Sequence, residues 1–130
     1  SYGRNNLLIE TYHNIESYIP ENFKIIDSGV GVVVITKEVM ERFGVKASGA
    51  SSLVSTLGSV KGIKAWVFFI EENDEIRVRL RSKGPVINGV AMKYNGGGHP
   101  LASGATIYNW EEMDNVLIDL VQVCSNYESK

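Results

Sequence analysis

The chain has 130 residues, 44% of them apolar, which fits one globular domain with its own core and excludes a disordered chain. Thirteen Lys and Arg against fifteen Asp and Glu give a net charge of −2, so any nucleic-acid contact must be a local patch rather than a global field. The single cysteine, Cys124, excludes an intrachain disulfide or a cysteine-rich zinc site and fits a reducing cytoplasm.

Leu8, Tyr12, Ile15 and Tyr18 or Ile19 recur at helical spacing, which predicts an amphipathic helix over Asn5–Ile19 that Pro20 stops. Its polar content puts it at the edge of the domain or on a link to something upstream. His13, within it, has no ligating neighbour and reads as a surface histidine. Phe23–Asp27 and Val30–Thr36 flank Ser28-Gly29, a hairpin pattern in which Gly supplies the positive φ and Asp27 is a turn residue. Thr36 is placed as an N-cap and Gly44 as the residue that ends the helix, with Val39, Met40 and Phe43 facing inward. A second short helix is expected from Ser48, carrying Ala50, Leu53, Val54 and Leu57 inward and ending at Gly58.

Ala65–Ile70 is the most apolar run and reads as a buried central strand. Glu71 to Glu75 is a solvated acidic turn, since adjacent carboxylates point apart and form no ligand shell. Ile76–Leu80 alternates strictly. Ile76, Val78 and Leu80 take one face, and Arg77, Arg79 and Arg81 form a basic ridge on the other. Arg, unlike Lys, suits bidentate phosphate contacts.

Ser82, Lys83 and Gly84 close that strand, and Pro85 is placed at the first position of a helix whose apolar face is Val86, Ile87, Val90, Ala91 and Tyr94. That helix ends at Asn95 and Gly96. Gly96, Gly97 and Gly98 then run into His99. Three glycines in succession lower stability unless the backbone must approach something closely or converge its N–H groups on an anion. The run reads either as a phosphate cradle or as a connector that happens to hold a histidine. A short turn started by Pro100 would aim free N–H groups beside His99, and the arginine ridge favours the cradle. Gly104–Ile107 reads as a last strand. Asn109 and Glu112 have capping-box spacing, and Met113, Val116, Leu117, Leu120, Val121 and Cys124 make one apolar helix face, followed by a frayed tail over Asn126–Lys130. The elements together imply an α+β fold with a mixed sheet of about five strands and helices packed on it.

The run from Gly96 to Gly104, Gly-Gly-Gly-His-Pro-Leu-Ala-Ser-Gly, resembles the signature of the DHH-associated domain, the C-terminal half of DHH-family phosphoesterases. The segment from Ile76 to Pro85 resembles that family's strand and Arg-Ser loop. The continuation after His99 is most similar to the bacterial oligoribonucleases that also act as phosphatases on 3′-phosphoadenosine 5′-phosphate. RecJ-like exonucleases and alanyl-tRNA synthetase carry related domains, so an accessory nucleic-acid-binding module is the alternative, and a structural dimerisation domain is a third reading.

The resemblance implies that Gly96, Gly97, Gly98, His99, Arg81 and Ser82 hold substrate phosphate and nucleotide. It implies a short RNA or DNA oligonucleotide or 3′-phosphoadenosine 5′-phosphate as partner. Hydrolysis falls to a separate N-terminal DHH domain that holds manganese. No Asp-His-His motif occurs here, and His13 and His99 are the only histidines. With Ser1 as the first residue, the expectation is a fragment. Residues 1–20 would be the helix connecting to the catalytic domain, and 21–130 the substrate-binding domain, inactive alone. No metal or other cofactor is expected in this chain. A homodimer is left open. No apolar run approaches the roughly 20 residues of a membrane span, and the first residues lack a signal-peptide pattern, so a cytoplasmic protein is expected.

Overall fold

In the computed structural model, which describes residues 15–127, six strands form one mixed sheet in the order β1-β2-β3-β4-β6-β5. β1 (Lys24–Ile26) and β2 (Val30–Ile35) are an antiparallel hairpin. β2 runs parallel to β3 (Ala65–Glu71). β4 (Ile76–Ser82), β6 (Ala102–Ile107) and β5 (Gly97–His99) then follow, each antiparallel to its neighbour. The expected α+β mixed sheet is present with six strands rather than about five. The additional one is Gly97–His99, part of the glycine run read from sequence as open loop.

Five helices accompany the sheet among the described residues: α1 (Ile15–Asn22), α2 (Lys37–Phe43), α3 (Ala47–Ser51), α4 (Asn88–Lys93) and α5 (Glu111–Asn126). A parallel strand pair needs a crossover. Here α2, α3 and a 3-10 segment, Ser52–Ser59, supply it between β2 and β3.

Alternation in β3 creates two cores. Ala65, Val67 and Phe69 join Val30, Val78, Leu80 and Ile107 on one face, under Val90 and Ala91 of α4 and Val116, Leu120 and Cys124 of α5. Trp66, Phe68 and Ile70 join Val33 and Ile35 on the other face, under α1, α2, α3 and the 3-10 segment. Ala65–Ile70 is therefore the buried central strand its composition predicts, covered on both sides. The second core takes no described residue from β4, β6 or β5. On that half-sheet the positions paired with Trp66, Phe68 and Ile70 are Arg81, Arg79 and Arg77, all partly exposed.

Most local signals hold. The Thr36 hydroxyl accepts from the Val39 N–H at 3.2 Å, and Gly44 sits at φ 64°. Asn109 Oδ1 accepts from the Glu112 N–H at 3.0 Å, and the Glu112 carboxylate accepts from the N–H of Tyr108, one residue earlier than the usual box. Cys124 is core, and burial pushes its thiol pKa up, against a lowering by Lys64.

Other expectations are corrected. Pro20 lies inside α1 rather than ending it: Ile15 and Ile19 are buried before it, and the Asn22 side chain donates to the Tyr18 carbonyl at 2.8 Å. The earlier part of the predicted helix from Asn5, with Leu8, Tyr12 and His13, lies outside the described residues. Ser28 as well as Gly29 adopts positive φ in the β1–β2 turn. The helix expected from Ser48 tightens to 3-10 after Ser51, although Ala50, Val54 and Leu57 are buried as expected. Pro85 does not start α4; the helix begins at Asn88 and leaves Val86 59% exposed. α5 continues to Asn126, and Tyr127 lies against Gly84, so no fraying starts at Asn126. Residues 128–130 of the expected tail lie outside the described residues.

Candidate phosphate-binding site

That half-sheet carries three cross-strand rows. In the middle row Arg79 of β4 pairs with Gly104 of β6, which pairs with Gly97 of β5. A Cβ on Gly104 would lie 2.7 Å from an Arg79 guanidinium nitrogen, so that guanidinium rests on the bare backbone of Gly104. Its Nε donates to the Ser51 hydroxyl at the end of α3, at 2.6 Å. Burial first, then the neighbouring charges of Arg77 and Arg81, lower the pKa of Arg79, while Glu72 raises it. Crowding of like charge of this kind is relieved by a bound anion.

The second row is Arg81, Ala102 and His99. The Arg81 guanidinium donates to the Leu80 carbonyl at 2.9 Å. His99 is exposed, and its Nδ1 accepts from the Leu101 N–H at 3.0 Å, which leaves Nε2 as the neutral ring's donor toward solvent. The Ser103 hydroxyl donates to the His99 carbonyl at 2.7 Å and ties the end of β5 to β6. The third row is Arg77 and Thr106. Arg77 is ion-paired to Glu72 at 2.9 Å, whereas Arg79 and Arg81 have no ion pair among the described residues. A cleft of about 280 Å³ lies over the Arg77 and Arg79 rows, lined by Glu75, Arg77, Arg79, Gly97, Gly104 and Thr106.

The glycines divide into different tasks. Gly96 packs so closely on β6 that a Cβ would overlap the Gly104 carbonyl oxygen and lie 2.6 Å from the Ala105 Cα. Gly98 has φ 140°, and a Cβ there would meet the Ala102 carbonyl oxygen at 2.9 Å. Gly97 alone of the three lines the cleft, with only Met92 near its Cβ position, at 3.8 Å. The expected nest of converging N–H groups after Pro100 is not formed. The Leu101 N–H is taken by His99, and the Pro100 carbonyl accepts from Ile87 at 2.8 Å.

Ser82 is on the opposite side of β4 from Arg81. Its hydroxyl donates to the Pro85 carbonyl at 2.5 Å and accepts from the Gly84 N–H at 3.1 Å, closing the loop after the strand. The structure therefore brings Arg81, His99 and Gly97 onto one surface and sets Ser82 behind it. The residue at the centre of that surface is Arg79, which sequence reading placed in the ridge without singling out. Ser51 gave no signal, because its contact with Arg79 spans 28 positions of the chain.

A larger cleft, about 660 Å³, opens between the end of α2 and the acidic turn. Its carboxylates Glu41, Glu71, Glu72, Asp74 and Glu75 outnumber Lys37 and Lys46, so its charge does not suit a phosphate. Among the described residues no three His, Cys, Asp or Glu side chains converge on one point. No described helix is long and apolar enough to cross a membrane.

A model of the DHHA1 domain matches residues 29–126, a span holding the arginine ridge, the glycine strand and Ser51. The chain belongs to the DHHA1 domain family. The chain is 56% identical, over 95% of its length, to the bifunctional oligoribonuclease and PAP phosphatase NrnA of Bacillus subtilis. It is 36% identical over 82% of its length to a probable protein of the same name in Streptococcus mutans. These relatives put the domain in the branch that the glycine run resembles. The chain spans only 40% and 34% of their lengths. Among solved structures, an exopolyphosphatase-related protein from Bacteroides fragilis matches 86% of the chain, and 33% of its own, with a TM-score of 0.72 and 29% identity.

Proposed function

We propose that this DHHA1 domain is the substrate-binding part of a DHH-family phosphoesterase. It grips the phosphates of a short RNA or DNA oligonucleotide or of 3′-phosphoadenosine 5′-phosphate. Residues 21–130 form the binding domain, and residues 1–20 lead to an N-terminal DHH domain that holds manganese and performs the hydrolysis. Arg79 and Arg81 supply charge-assisted bonds to phosphate oxygens. Gly97 lets ligand come close to the backbone of β5. His99 Nε2 donates from the end of the same surface, Gly96 and Gly98 hold β5 against β6, and Ser82 fixes the loop behind Arg81. A cytoplasmic setting goes with this reading.

The observation that carries the proposal is the pair of guanidinium groups, Arg79 and Arg81, with no ion pair to either among the described residues, over a floor that Gly104 and Gly97 keep bare. Calorimetric titration of the chain with 3′-phosphoadenosine 5′-phosphate tests it, with adenosine as the uncharged control. Arg79→Gln and Arg81→Gln should each weaken binding by about tenfold or more, the loss expected of one hydrogen bond to a charged group. Unchanged affinity in both variants would remove the basis for the reading.

A further inference from the structure

A nucleotide offers a protein both phosphate and base, and the arginines account only for the first. A base lays its flat face on an aromatic or sulfur-bearing side chain. Phe69 is fully buried in β3, and Tyr94 packs on the core with its hydroxyl on Asp119, so neither is open to a base. Tyr108 is exposed, but it shares its surroundings with Glu71, Glu72, Asp74 and Glu75, whose charge repels an anionic ligand. Met92 has no such neighbours at the glycine strand. It lies in α4, is 66% exposed, and places its Cγ 3.8 Å from where a Cβ on Gly97 would stand. Gly97 shares a cross-strand row with Gly104 and Arg79, so that Cβ position is on the arginine face of the sheet. Val90 and Ala91 of α4 are in the core on the other face, so the Met92 side chain reaches the outer margin of the arginine face past β5. The other two methionines, Met40 and Met113, pack on the two cores.

We propose that Met92 is a base-contacting residue of this surface: the nucleobase of a bound nucleotide lies over Gly97 with its face on the Met92 thioether. The inference rests on the phosphate-binding reading given above and adds to it a side chain which that reading leaves unassigned. Neighbouring strands lie about 4.8 Å apart, so Arg79 on β4 and Gly97 on β5 stand about 10 Å apart at the two ends of one row. Phosphate at the Arg79 end puts the base at the Met92 end. Gly104 and Gly97 carry no side chain, so the sugar between them can rest on backbone. The thioether is unbranched, polarisable and free of N–H donors. It therefore holds a base by its face and not by its hydrogen-bonding edge. Purines, with the larger face, gain more than pyrimidines, and base sequence is not read.

The test compares two ligands on the chain by calorimetric titration, 3′-phosphoadenosine 5′-phosphate and the same bisphosphate without its base, 1-deoxyribose 3,5-bisphosphate. Met92→Ala changes an exposed position, and circular dichroism checks the fold. It should weaken the adenine ligand by about three- to tenfold, the loss of one sulfur–aromatic contact. The base-free ligand should change by less than about twofold, as for a side chain outside its contacts. Met92→Phe supplies a ring in place of the thioether and should bind the adenine ligand at least as tightly as the parent. With the methionine methyl groups carbon-13 labelled, the Met92 signal, assigned through Met92→Leu, should move upfield with the adenine ligand and stay in place with the base-free one. Equal weakening of both ligands by Met92→Ala, no weakening of either, or a Met92 methyl that ignores the adenine ligand overturns the assignment of Met92. If instead Arg79→Gln and Arg81→Gln leave the affinity for the base-free bisphosphate unchanged, the phosphate-binding reading itself fails, whatever Met92 does.

Discussion

Substituting Gly97 with Val should separate ligand approach from folding. Gly97 is in extended backbone on the edge strand, and a Cβ built there meets only Met92 Cγ, at 3.8 Å. Glycine in a strand costs about 0.5–1 kcal/mol relative to alanine, and valine is favoured there, so Gly97→Val should keep stability within about 1 kcal/mol of the parent. The branched side chain, however, grows into the cleft shared with Arg79 and Gly104. Keeping a phosphate off that surface forfeits a charge-assisted bond of about 1.5–3 kcal/mol, or roughly ten- to hundredfold in affinity. Gly96→Ala is the contrasting variant. Its added carbon overlaps the Gly104 carbonyl oxygen, so β5 must move away from β6 and the protein should lose about 1–3 kcal/mol of stability. Urea denaturation reads the first quantity and calorimetric titration with 3′-phosphoadenosine 5′-phosphate the second. A Gly97→Val protein that melts like the parent and binds within twofold of it would refute the cleft as the ligand site.

Two further outcomes are expected. Ser51→Ala removes the hydroxyl that receives the Arg79 Nε–H at 2.6 Å, and should weaken ligand binding several-fold while Arg81→Gln retains its own separate effect in the double variant; full additivity with Arg79→Gln would count against a role through Arg79. Tyr94 donates its hydroxyl to Asp119 at 2.5 Å, and burial, then that bond and the Asp119 and Glu112 charges, push its pKa from 10.0 up to about 12. The folded state therefore holds this proton more tightly than the unfolded one. Its stabilisation is complete below pH 10 and fades as pH rises through about 12. Tyr94→Phe should cost about 1 kcal/mol below that window and converge on the parent across it in urea melts; a pH-independent difference would contradict the assignment.

The periodic parts of the fold were legible because each needs only near neighbours. Ile76–Ser82 declares two faces by alternation, and Thr36 and Gly44 mark their helix by local backbone chemistry. The site was legible only in part. Arg81, His99 and the glycines are visible as residues, but the row Arg79–Gly104–Gly97 exists through strand register, which pairs positions far apart in the chain. The glycine run misled for a physical reason. Conformational permissiveness looks the same in sequence whether it serves a loop or, as at Gly96, the close packing of an edge strand. Ser82 was grouped with Arg81 through the resemblance to the family's Arg-Ser loop, although neighbours in a strand point to opposite sides.

β3 is buried on both faces, while the candidate site, centred on Arg79 of β4, reaches out to the sheet margin at β5, three strands along from β3. That distance separates two kinds of opening. Exchange of β3 amides requires both cores to come apart, whereas the three residues of β5 can detach from β6 with neither core disturbed. The strand that meets ligand can thus breathe and re-close on a timescale of its own. Ligand-driven ordering of β5 would appear as slower amide exchange there, with little change in the melting of the whole.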